Sequence, residues 1–187
     1  MRGFLFGIIL TLIVLVAGGY FLLKSGRVSF SADQEPSAFE EHLAMSAVDA
    51  STERNAPEQK NPVPTDEADL VAGAQLYLNH CAGCHGLPSN PEGQFGRSFN
   101  PPVPAFFKEP PDMPENQNFY IIQHGIRWTG MPAWKKTLND GQIWQLVTFL
   151  SNVQKLPPAV LKELALPAGD PAAAAPASPA APGMQMH

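Results

Sequence analysis

Asn79-His80-Cys81-Ala82-Gly83-Cys84-His85-Gly86 is the stretch on which the reading of this chain turns. On a helical turn Cys81 and Cys84 stand at i and i+3 and share a face. His85, four residues after Cys81, stays on that side, with its imidazole able to swing beneath whatever the thiols hold. Gly83 and Gly86 carry no side chain, which leaves room for a flat group close to the backbone. Other uses of such a pair fail on their own requirements. A thioredoxin-like C-x-x-C needs a βαβ setting, and none surrounds these cysteines. A zinc site needs about four ligands, yet the chain has two cysteines and scattered histidines. A disulfide would employ both thiols and leave His85 unexplained. What remains is C-x-x-C-H as a haem attachment signature, in which two thiols bond the vinyl groups of one porphyrin and the histidine reaches its iron.

A second stretch, Ile126-Arg127-Trp128-Thr129-Gly130-Met131-Pro132-Ala133-Trp134, offers a sulfur ligand for the other side of that iron. Pro132 restricts Met131 to an extended backbone, and Gly130 lets the loop pass close to the ring. His124 and Met113 are the rival ligands. His124 ends a helix, where a cation also suits the dipole; Met113 lies early relative to that helix. His80 and His42 are expected at the surface.

On Gly73, Tyr77, Cys81-Cys84-His85, Met131-Pro132 and a final helix around Trp144 to Leu150, the chain resembles the class I c-type cytochromes. The resemblance covers about Thr65 to Leu166. It implies an all-α cytochrome c fold, three to four helices around one covalent haem c. Cys81 and Cys84 would bind the haem covalently, and His85 and Met131 would be the axial ligands of its iron. It also implies that a proline carbonyl accepts the Nδ1 hydrogen of His85, with Pro101 and Pro102 as candidates. Gly73 would meet the last helix at a close crossing, with Phe149 as the facing aromatic.

The rest of the chain divides by composition. Its 187 residues suit one core of ordinary size. Twenty prolines, roughly double the usual share of about 5%, assign much of it to loop, linker or tail. A net charge of -5 gives no sign of a nucleic-acid partner. Phe4 to Leu23 is apolar apart from Thr11 and Tyr20, and about 20 helical residues reach ~30 Å, a bilayer's hydrocarbon thickness. Residues 1–24 are therefore read as a transmembrane anchor. A signal peptide cleaved after Ala17-x-Gly19 is the rival, and it would start the mature chain on Tyr20-Phe21-Leu22-Leu23. Arg2 on one side and Lys24 and Arg27 on the other do not orient the helix. Haem attachment outside the cytoplasmic membrane, as the resemblance implies for bacteria, puts the remainder in the periplasm.

Residues 25–64 read as a polar linker. Ser37-x-x-Glu40 is a capping box that can open a short helix through Phe39, Leu43, Ala47 and Val48; a solvated segment is the equal alternative. Were all of it flexible, about 40 residues would reach ~35 Å. Residues 65–166 are the haem domain. Thr65 is its first N-cap, and Phe99, Phe106 and Phe107 supply apolar walls. Arg97 either meets a haem propionate or stays solvated. Asn118 to Ile126 is a helix stopped by Gly125, and Leu138-Asn139-Asp140 caps the last long helix, with Ile143, Leu146, Val147 and Leu150 as its stripe. A short helical piece follows over Ala159 to Leu166. Residues 167–187, rich in Ala and Pro, cannot bury a core and are expected to be disordered. Their ending, Met184-Gln185-Met186-His187, is either incidental or a soft Cu(I) site.

The function expected on these grounds is single-electron shuttling between membrane-associated redox complexes, with no catalysis and no small-molecule substrate. The rivals are a haem subunit of a larger dehydrogenase or oxidase, and a haem enzyme or gas sensor with a labile sixth position.

Overall fold

The computed structural model describes residues 2–165, so the expected C-terminal tail and its Met-His ending lie outside the described residues. The chain forms two compact units, Met1–Ala32 and Asp33–His187.

The first unit is helix α1, Arg2–Lys24. Its 23 residues reach ~35 Å at 1.5 Å per residue. Phe4, Val16 and Phe21 stand at 75%, 72% and 70% exposure, an apolar surface that water does not favour. Length and composition are those of a membrane span, and equally those of an export signal at this end of a chain.

The second unit is all-helical among the described residues, apart from an isolated bridge between Leu87 and Asn90. It opens with α2, Ala38–Asn55, where the Ser37 side chain accepts from the Glu40 N–H. The N-cap is the expected one, and the helix runs to 18 residues. Its C-terminal end is docked. Thr52 is buried, Asn116 Nδ2 donates to the Pro57 carbonyl at 2.9 Å, and Asn61 Nδ2 donates to Thr148 Oγ1 at 2.8 Å.

Four helices longer than one turn build the core: α3 (Glu67–His80), α5 (Glu115–His124), α6 (Asp140–Ser151) and α7 (Pro158–Leu164). A single turn, α4 (Ala82–His85), continues α3. Asp66, not Thr65, caps α3, its carboxylate accepting from the Asp69 N–H at 2.9 Å. An acidic group at that end also meets the positive pole of the helix. Asn139 and Gln142 form a full capping box on α6. Gly125, at φ +68, ends α5 with a positive-φ backbone that glycine adopts without strain.

The central contact is α3 on α6. A Cβ on Gly73 would stand 2.5 Å from the Gln145 carbonyl oxygen and 2.7 Å from Phe149 Cβ, so only glycine admits this approach. The crossing expected at Gly73 and Phe149 is therefore present. Tyr77 packs on Phe149 with ring centroids 5.0 Å apart, and Phe119 of α5 stacks on Trp144 of α6 at 4.2 Å. Leu70, Ala74, Ile143, Leu146, Val147 and Val160 are among the other members of the buried cluster. Each fully buried large apolar side chain contributes ~1.5–3 kcal/mol.

Candidate functional site

Cys81 ends α3 and starts α4 at once. Its N–H donates to the Tyr77 carbonyl at 2.8 Å, and its own carbonyl accepts from the N–H groups of Cys84 and His85 at 3.0 and 2.8 Å. That turn brings both thiols and the imidazole to one end of the core. The cysteines are free, and Cys81 packs against the core cluster. Burial, with Cys84 second, pushes the Cys81 thiol up to about 12, so it is neutral at ordinary pH.

His85 is held from two directions. Its Nδ1 lies 2.9 Å from the Pro104 carbonyl oxygen, and its ring stacks on Phe106 at 4.3 Å with planes 6° apart. A carbonyl only accepts, so the proton sits on Nδ1, and Nε2 keeps a lone pair with no protein partner among the described residues. Burial lowers the His85 pKa, opposed by the Pro104 hydrogen bond, and favours the neutral, ligand-competent ring. The acceptor is thus Pro104 rather than Pro101 or Pro102. The reason lies in the preceding loop, where Val103 N–H donates to the Gly96 carbonyl at 3.0 Å and swings the next carbonyl over His85.

The loop from Gly86 to Glu109 is stitched to the cysteine turn. Gln94 and Phe95 N–H both donate to the Gly83 carbonyl, at 2.9 and 3.0 Å. Gly93 and Gly96 cross the Cys84 carbonyl so closely that a Cβ on either would sit 2.7 Å from its oxygen. Gly86 is needed for a reason other than the expected one. Its φ is +86, and a Cβ there would strike the Pro91 carbonyl, so it serves the loop's own return. Gly83 keeps open space, with Phe95 Cδ2 at 3.8 Å the nearest atom to a Cβ. The Tyr77 hydroxyl donates to the Gly86 carbonyl at 2.8 Å, and burial raises its pKa, keeping it a donor. Arg97 pairs with Glu92, as does Lys108. Arg97 lies at the surface, its side chain 79% exposed, paired there with Glu92. The two cations, mainly through hydrogen bonds, hold the Glu92 carboxyl at about 2.

Met131 packs on the same core cluster as Cys81. A turn positions it. The Thr129 N–H and hydroxyl donate to the Ile126 carbonyl at 3.3 and 2.9 Å, the Met131 N–H donates to Thr129 Oγ1 at 3.1 Å, and the Ile126 N–H donates to the Met131 carbonyl at 3.1 Å. Gly130 lies against the Phe99 ring, whose atoms a Cβ would strike, so the loop after His85 touches the loop before Met131. Trp128 sits in the turn with φ +62, which costs a bulky L residue about 1–2 kcal/mol. Of the rivals, His124 is exposed, 3.5 Å from Lys135 Nζ. Met113 is half-buried but outside the packed cluster. His80 is half-buried too, its ring 5.2 Å from that of Trp134.

This donor set fits a haem. Among the described residues no three His, Cys, Asp or Glu side chains gather as a metal-ion set. A porphyrin brings four nitrogens of its own and asks the protein only for two axial donors and, in the c type, two thiols.

Residues 68–150 match the family described as cytochrome c oxidase, cbb3-type, subunit III. This stretch is a class I-like c-type cytochrome domain. Domains of this kind carry haem c, and their chemistry is electron transfer. No curated protein matches the chain. Among solved structures, a chain of the reducing HAO-like protein complex of Kuenenia stuttgartiensis aligns at 20% identity with a TM-score of 0.41, over 52% of this chain and 50% of that one. This chain therefore spans about half of that relative.

The loop glycines at 93 and 96, the Pro104 acceptor and the Phe106 stack were not found by sequence reasoning. The two glycines three residues apart, in an otherwise proline-stiffened stretch, were the signal that a backbone passes close by.

Proposed function

We propose that this cytochrome domain holds one haem c, with Cys81 and Cys84 as its covalent attachment and His85 and Met131 as axial ligands, and that it works as a one-electron carrier. The observation that carries this is the Pro104 carbonyl on His85 Nδ1, within the turn that also presents both thiols. Bound haem supplies a reversible Fe(III)/Fe(II) couple. The chain's residues set its conditions. Pro104 and Phe106 fix the plane of His85, so Nε2 is pre-aimed and little rearranges between oxidation states. The Met131 thioether favours the lower oxidation state, and the partial burial of Cys81 and Met131 against the core disfavours added positive charge. Both raise the potential.

In this reading residues 1–24 anchor the protein in the cytoplasmic membrane, residues 25–64 connect, and the domain at 65–166 faces the periplasm. Donor and acceptor are membrane-associated redox complexes. The matched family's description, an oxidase subunit, favours a second reading, in which the haem is an internal relay of a larger complex. Purification in mild detergent separates the two. A stable, stoichiometric co-purifying oxidoreductase supports the subunit, and its absence the mobile carrier. The carrier reading itself is tested by a one-electron redox titration of the membrane-purified protein. Full reversibility with no carbon monoxide binding to the reduced form is expected; ready binding would favour an enzyme or sensor. Replacing residues 1–24 by a cleavable export signal should release a soluble, haem-loaded periplasmic protein.

A further inference from the structure

The turn that positions Met131 also presents Trp128 to solvent. It is 91% exposed, the most exposed large apolar side chain among the described residues, at a left-handed φ of +62. Such a backbone suits glycine, and a bulky residue there is an outlier that persists only when surroundings impose it. Here the Thr129 bonds to the Ile126 carbonyl and the Met131–Ile126 pairing impose it. Among the described residues, the Arg127 guanidinium stands 5.9 Å from the Trp128 ring centre.

Charge says what the turn faces. Residues 116–139 contain Arg127, Lys135 and Lys136, all exposed, and none of the chain's 17 Asp and Glu. On a chain of net charge -5, this stretch between Glu115 and Asp140 carries cations alone, with Trp128 as its most exposed large side chain. Exposed tryptophan and arginine are the side chains that anchor protein interfaces, and a local patch, not net charge, steers encounter at short range.

We propose that Trp128, with Arg127, Lys135 and Lys136, is the docking surface for the acidic face of a redox protein partner. Trp128 is the apolar anchor, and the three cations set the orientation. A lone aromatic is too small a surface to hold a bilayer, so a protein is preferred over anionic lipid. The proposal rests on the electron-carrier reading and names the partner chemistry of that site.

The test uses the full-length, haem-loaded protein in neutral detergent and an acidic blue-copper protein as probe. In stopped flow, each reduced molecule gives one electron to Cu(II), which becomes Cu(I). The rate should fall as salt rises, and Lys135→Glu with Lys136→Glu should reverse that slope. Trp128→Ala and Trp128→Gly should each slow it about tenfold, well beyond any change they cause in exchange with hexaammineruthenium, which reads the haem without the docking surface. Trp128→Gly should melt at or above the parent temperature, since glycine relieves the backbone; a structural role would predict the reverse. In NMR, the indole N–H signal missing from Trp128→Phe should broaden when the Cu(I) protein is added. Unchanged rates in both Trp128 variants, or an indole signal that responds only to phosphatidylglycerol vesicles, would overturn the proposal. Failure of the parent to exchange with hexaammineruthenium would instead strike the carrier reading, and the indole titration would still decide docking.

Discussion

The two loops that bring His85 and Met131 to the site are built differently. The one after His85 is tied to other parts of the chain at many points: Gly83 accepts from Gln94 and Phe95, Gly93 and Gly96 lie on the Cys84 carbonyl, and Pro104 and Phe106 hold the imidazole. The one before Met131 is tied chiefly to itself, Ile126 to Thr129 and Met131, with Phe99 as its neighbour. It also carries a strained residue. The first loop holds its ligand in place by backbone packing, whereas the second depends on a short turn. The histidine side should therefore be stiff and the methionine side adjustable.

The severest way to break the contrast is to remove the haem that the proposed function places between the loops. Cys81→Ser with Cys84→Ser should abolish covalent haem and leave the loops without a shared centre. Haem staining after denaturing electrophoresis reads the first effect, and loss of helical circular dichroism the second. Next comes Gly86→Ala, which puts a side chain at φ +86 against the Pro91 carbonyl. It should destabilise the domain by ~3 kcal/mol in denaturant unfolding and impair haem loading. Gly125→Ala, at φ +68 with Met131 O 2.7 Å from the new Cβ, should cost less, ~1–2 kcal/mol, and weaken chiefly the methionine side.

Met131→Ala sharpens the contrast without unfolding either loop. Covalent haem should stay, the sulfur–iron absorption of the oxidised form should vanish, and the reduced form should bind carbon monoxide. The potential should fall by at least about 59 mV, equivalent to ~1.4 kcal/mol for one electron. Met113→Ala and His124→Ala should do none of this. The smallest effect belongs to Glu92, whose carboxyl is held at about 2 by Arg97 and Lys108. Its folded pKa is depressed, so its contribution is complete above the ordinary carboxylate range, near ~4.3. It is lost as pH falls through about 2. Glu92→Gln should flatten the acid-unfolding profile in that window and leave neutral-pH stability almost unchanged, because the pair is exposed.

What was legible in the sequence follows the same division. Helical spacing, the Asn139 box, the Gly125 stop and the Gly73–Phe149 crossing could be read because each depends on residues a few positions apart or on a resemblance that names them. The Thr65 cap failed by one position, since hydroxyl and carboxylate are near-equal N-caps and only the chain's path chooses. Pro104 could not be picked from the three prolines at 101, 102 and 104 by composition. What selects it is the hydrogen bond from Val103 to Gly96, a contact across an irregular loop with no regular spacing. Arg97 was left open between a propionate and solvent, and its pairing with Glu92 at the surface went unread because the irregular loop between them has no helical or strand spacing to announce it. The left-handed Trp128 runs against propensity, and no pattern foretells an exception.

Helix α2 changes how far the domain can range. Its docked end at Thr52 and Pro57 makes the last part of the connecting segment one piece with the domain. The Gln34 carbonyl also accepts from Asn100 Nδ2 at 2.6 Å, so with α1 in a bilayer as proposed the slack lies in residues 25–33. About 9 flexible residues span ~17 Å, against ~35 Å for a free chain of 40. Effective concentration falls roughly as the −3/2 power of linker length, so the shorter leash raises the local abundance of the domain about ninefold near its own patch of membrane. A partner within that radius is met over and over, and one beyond it is reached only by lateral diffusion of the whole protein.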